Sequence, residues 1–127
     1  MDIIKILGNV FLEKIFPNGL VDPVFIGQIG FDVDGRISLN IHTKQKPSIE
    51  TEKWGVWGKN YNVIVIKLNG ICKDSAIIKN WKKAEYAPLS IGNNGETLII
   101  SQMGQDWNIE LECIALIFNG CSTYIEC

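Results

Sequence analysis

The chain has 127 residues, of which 46% are hydrophobic and 20% charged, with 12 basic against 14 acidic side chains and a net charge of −2. That length and apolar share fit one folded domain burying roughly two-thirds of its unfolded surface, and they exclude a disordered chain. The slight acidic balance lacks the basic excess of a nucleic-acid-binding domain, so nucleic acid is not an expected partner.

The opening Met1-Asp2-Ile3-Ile4-Lys5 has no basic start followed by an unbroken apolar stretch and a small-residue cleavage site. No apolar run approaches the roughly 18 to 20 residues of a spanning helix. The expectation is a cytoplasmic protein without membrane contact. Residues 2–16 read as one helix: Ile3, Leu7, Val10, Phe11 and Ile15 form an apolar stripe, Asp2 suits the N-cap, and Phe16-Pro17-Asn18-Gly19 stops it.

Beyond the helix the period becomes two. In "GQIGFDVDGRISLNIHT", Asp34-Gly35 separates an alternating run with Ile29, Phe31 and Val33 on one side from one with Ile37, Leu39 and Ile41 on one side. Asp-Gly between alternating runs is a strong hairpin signal. Residues 44–52 are polar, contain Pro47 and read as a loop. In "YNVIVIKLNGI", Val63 to Ile66 are apolar on both faces, as expected of a central strand. Further short strands fit "SAIIKNW", "APLSIGN", "ETLIISQM", "DWNIELEC" and "STYIEC", with "IALIF" before the last. In the fourth of these runs Trp107, Ile109, Leu111 and Cys113 oppose Asn108, Glu110 and Glu112. The alternation slips at Cys113-Ile114, which points to a bulge or a change of sheet. The fold class expected is mainly β: an antiparallel β-sandwich or open barrel of about eight strands with one short N-terminal helix, in a single domain spanning 1–127.

Chemistry is sparse. Cys72, Cys113, Cys121 and Cys127 form no C-x-x-C pair, and His42 is the single histidine. Cys113 reads as a small apolar strand residue and the others as free thiols; neither a metal site nor a cofactor is expected. "GQIG" and "GNNG" lack a nucleotide-loop pattern, and Asp22, Asp32 and Asp34 lack the closing glutamate of a calcium loop. His42 reads as an exposed strand histidine, with general base as the rival role. Glu110 and Glu112 share a strand face about 7 Å apart, a separation open to a solvated face, an acidic contact surface or carboxylate catalysis. No enzymatic activity is expected.

The stretch "KWGVWGKNYN" holds two of the four tryptophans. Trp54 reads as a plug over one end of the core, while Trp57, next to Lys59 and Asn60, stays open between core and contact. Trp81 and Trp107 read as structural. Trp57, Tyr61, Glu110 and Glu112 are the candidates for partner binding, and Trp54 with Trp57 could instead stack on a small ligand or sugar.

Taken in order, a short helix runs into "IFPNG" and a hairpin follows. "KW" and Gly-Lys-Asn-Tyr-Asn then lead into "VIVIKLNGI", and a tryptophan-terminated strand, "LIIS" and "IELECIALI" precede a terminal "YI". From about Ile15 to Ile125 this order resembles the immunity protein 50 family, small bacterial proteins associated with polymorphic toxin systems. The sequence departs from that pattern in the second tryptophan of "WGVW" and in the added Glu126-Cys127. The resemblance implies a non-catalytic protein that neutralises a cognate toxin by covering it, through a stoichiometric protein–protein contact. It assigns no site residues. A homodimer is a further expectation, since an uncovered apolar sheet face or edge tends to find a partner.

Overall fold

The computed structural model describes residues 2–127 and is a single antiparallel sheet with two short helices at its N-terminal end. The helices are α1, Ile3–Leu7, and α2, Val10–Ile15. The expected single helix is therefore broken. Gly8 adopts the left-handed conformation (φ 59°) and caps α1, and the Asn9 side chain then accepts from the Leu12 N–H to start a new helix. The break turns the stripe: Ile3, Ile4, Leu12, Ile15 and Phe16 are buried, whereas Val10 is exposed. Asp2 caps α1 as expected, its carboxylate accepting from the Ile4 N–H at 2.8 Å, and its second oxygen accepts from Leu20 at 2.9 Å.

Six strands follow: β1 Val24–Phe31, β2 Arg36–Thr43, β3 Val63–Lys79, β4 Ser90–Asn93, β5 Leu98–Gly104 and β6 Trp107–Tyr124, in the spatial order β1-β2-β3-β6-β5-β4. The count is six, where the sequence suggested about eight, because separate-looking segments are continuous. "VIVIKLNGI" and "SAIIK", joined by Cys72-Lys73-Asp74, form the 17 residues of β3, and "WNIELEC", "IALIF" and "STY" lie within the 18 of β6. The breaks between them are bulges. Ile114 is the extra residue between the pairs Cys72–Cys113 and Ile71–Ala115, as the slipped alternation suggested. Lys73, Asp74 and Ser75 bulge opposite Glu112, and Asn119 is the extra residue between Leu68–Phe118 and Lys67–Gly120.

The β1–β2 hairpin forms as expected, with Phe31 opposite Ile37 and Ile29 opposite Leu39. Its turn is Asp32 to Gly35, closed by the Gly35 N–H on the Asp32 carbonyl at 3.1 Å, so Val33 lies at the exposed tip and outside the strand. Val63 to Ile66 are all buried in β3, which lies between β2 and β6 as a central strand should.

The core lies on one face of the sheet, where Leu39, Ile41, Ile64, Ile66, Leu68, Ile100, Trp107, Ile109, Leu111 and Cys113 meet the two helices. The two outer edges of the sheet also touch. Val24 of β1 exchanges two backbone hydrogen bonds, each 2.9 Å, with Ala87, three residues before β4. The buried Gln102 amide of β5 donates to both carbonyls at that point. Trp81 is not a core residue, contrary to expectation. Asn80 takes a left-handed conformation (φ 52°) directly after β3, and Trp81 begins a 3-10 turn, Trp81–Lys83, with 62% of its surface exposed.

Among the described residues, no helix is long and apolar enough to cross a membrane.

Candidate functional site

The two clustered tryptophans fold around one tyrosine. A 3-10 turn, Glu52–Trp54, leads into a loop held by the Asn60 side chain on the Val56 N–H (2.8 Å) and by the Gly58 N–H on the Tyr61 carbonyl (2.7 Å). Trp54 lies edge-on to Phe11 of α2 at 5.5 Å and to Tyr61 at 5.7 Å; Trp57 lies edge-on to Tyr61 at 5.2 Å. Both indoles are half-buried and pack against the core. Trp54 thus closes the core where α2 meets the loop. Tyr61 has no exposed surface. Its candidacy as a contact residue is corrected: it is the hub on which both indoles pack.

Glu110 and Glu112 occupy the outward parity of β6, as expected, Glu110 exposed and Glu112 half-buried. Their β5 neighbours are Ser101 and Ile99, and Glu110 faces Ile77 on β3. Trp57 bridges to Tyr61, two residues before β3 begins at Val63, whereas Glu110 faces Ile77 near its other end, so the carboxylates and the tryptophan loop belong to different ends of that strand.

A broad concavity lies on the outer face, where four adjacent strands meet. Residues 30–32, 36–38 and 69–71, with Ala115 and Ile117, line a shallow saddle of about 590 Å3. Ile71 and Ile117 are diagonal neighbours across β3 and β6, 48% and 65% exposed, and Ile114 beside them is also exposed. Asp32, Arg36, Ser38 and Asn69 give this apolar centre a polar rim. Gly70 is a close-approach position: a Cβ there would run into the backbone carbonyl of Ala115. Sequence reasoning missed this patch, because only the bulges of β6 put Ile117 on the same face as Ile71.

His42 is not a simply exposed strand residue. It is half-buried, its ring 5.6 Å edge-on from Phe25, and its Nδ1 is 2.9 Å from the Tyr124 hydroxyl. Gly27, the extra residue of a bulge in β1, makes room for it, since a Cβ there would run into His42 Nε2. Tyr86 extends the group at 5.7 Å from Phe25 and carries the Lys44 ammonium 4.4 Å over its ring; Lys44 also pairs with Glu126 at 3.6 Å. Burial holds the imidazole below its ordinary pKa, with Glu126 opposing.

Cys72, Cys113, Cys121 and Cys127 are all free thiols, and Cys113 is buried on its strand as expected. Burial, with smaller contributions from Cys72 and Glu112, pushes the Cys113 thiol up to about 11. Burial pushes Cys121 to about 12 against the opposing charge of Lys67. Among the described residues, no group of three or more His, Cys, Asp or Glu converges to hold a metal ion.

Comparison with protein-family models, with curated proteins and with solved structures finds no match to this chain.

Proposed function

We propose that this chain is a cytoplasmic immunity protein that neutralises a cognate toxin by stoichiometric binding, without cofactor or chemical turnover. The observation that carries the reading is the apolar saddle centred on Ile71 and Ile117. Contiguous apolar side chains with a polar rim, on the outer face of a sheet already packed on its other side, are the anatomy of a protein contact. The order of motifs from Ile15 to Ile125 supplies the kind of partner. Of the sequence candidates, Trp57, Glu110 and Glu112 retain exposed surface to contribute at a rim.

A sugar-stacking role for Trp54 and Trp57 is the weaker reading, because both indoles pack on Tyr61 and Trp54 also on Phe11. We further read the sheet as an open barrel, its β1 edge pinned near β4 through Val24 and Ala87. The test of function is co-purification with the toxin encoded beside this chain. A 1:1 complex that Ile71→Asp and Ile117→Asp weaken at least tenfold supports the reading; a complex indifferent to both places the contact elsewhere.

A further inference from the structure

Beyond Val24, the outer side of β1 has no partner strand: among the described residues, no backbone hydrogen bond leaves Ile26 to Phe31 on that side. Past the Val24–Ala87 bridge the β1 edge faces the end of β3 and the start of β6 across a groove of about 510 Å3. One wall is five consecutive residues of that edge, Phe25 to Ile29. The other holds Ile78, Ile109 and the Trp81–Ala84 turn, with the exposed Trp81 indole at its rim.

An unpaired edge presents a row of N–H and C=O groups, and an incoming extended chain satisfies them by adding a strand. Two walls restrict the occupant. A lone extended segment enters such a groove, whereas the edge of another folded sheet, including that of a second copy, carries neighbours that the Trp81 wall obstructs. Charge restricts it further. Among the described residues, Lys82 is the one ionic side chain lining the groove, no carboxylate lines it, and Lys82 forms no ion pair. Its ammonium instead rests 5.6 Å over the adjacent Trp81 ring.

We propose that this groove binds an extended, acidic segment of another protein by strand addition to β1. The segment's backbone pairs with Ile26 to Ile29, alternate apolar side chains pack on Ile78 and Trp81, and a carboxylate meets Lys82. The inference is independent of the toxin reading and uses a different face from the saddle.

The test is an amide NMR titration of the full chain with a blocked heptapeptide of alternating valine and threonine bearing a central glutamate. Two counterparts carry a central lysine or prolines at the alternate positions that would donate. The expected result is shifts confined to Ile26–Ile29 and the Trp81 indole N–H. The glutamate peptide should bind about three- to fivefold tighter than the lysine peptide, with the order reversed in Lys82→Glu, and the proline peptide should not bind. The proposal is overturned by no shift at these amides with the glutamate peptide, by equal affinity for the glutamate and lysine peptides, or by a dimer that itself protects β1.

Discussion

The Nδ1 of His42 and the hydroxyl of Tyr124, 82 residues apart in sequence, are 2.9 Å apart, tying β2 to the end of β6 across β3. Burial, opposed by Glu126, depresses the imidazole pKa below 6.5, so the fold favours the neutral ring. The contribution of this group is fully present above pH 6.5 and is lost as pH falls through the lower folded value. Urea midpoints should therefore fall between pH 7.5 and pH 5.5, and His42→Gln should flatten that slope. Tyr124→Phe should destabilise by about 0.5–1.5 kcal/mol. An identical pH slope in the histidine variant would contradict this assignment.

Gln102 holds the two sheet edges at their meeting point, its amide donating at 2.9 Å to Val24 and to Ala87. Each carbonyl also accepts a backbone N–H, so neither is left bare when the side chain is removed. Gln102→Ala should destabilise by about 1–3 kcal/mol and speed amide exchange at Val24 and Ala87. Denaturation together with exchange checks this. Loss of stability with unchanged exchange at those two amides would place the effect elsewhere.

Tyr61 separates packing from hydrogen bonding, because its buried hydroxyl has no hydrogen-bond partner among the described residues. Tyr61→Phe should stay within about 1 kcal/mol of the parent, whereas Tyr61→Ala should destabilise by about 3–5 kcal/mol as Trp54 and Trp57 lose their hub. Near-ultraviolet circular dichroism, which reports the packing of these rings, should be retained in the phenylalanine variant and collapse in the alanine one.

The thiols should sort by burial. With Cys113 raised to about 11 and Cys121 to about 12, both stay protonated at pH 8, so iodoacetamide should spare them until the chain is unfolded, while the exposed Cys127 reacts. The raised values also set a stability limit. The neutral thiols are favoured in the fold, so their contribution is complete below pH 9 and is lost as pH rises through about 11 to 12. Mass spectrometry after a timed pulse locates the label; prompt labelling of Cys113 in the folded chain would contradict its placement.

Much of the β framework is legible in the sequence. Two-residue alternation and Asp34-Gly35 announce β1 and β2, four apolar residues in a row mark the centre of β3, and the slip at Ile114 marks a true bulge. What misleads is local resemblance between bulges and turns. Lys73-Asp74-Ser75 and Asn119-Gly120 have turn composition, yet long-range pairing with the opposite strand carries the chain straight through them. Gly8 misleads in the other direction, because the helical period continues across a break set by one left-handed residue. The outward parity of Glu110 and Glu112 follows from alternation alone. The burial of Tyr61 does not, since the rings packed on it come from the folded-back loop at residues 54 and 57, and the adjacency of Ile71 and Ile117 depends on the β3–β6 register.

The most direct test of the proposed function is growth. Cells expressing the toxin encoded beside this chain are compared when they also carry the parent protein or an Ile71→Asp/Ile117→Asp double variant, both shown by circular dichroism to be folded. An immunity protein acting through the saddle restores growth in parent form and fails as the double variant. Cells that die despite abundant folded parent protein would contradict the central claim.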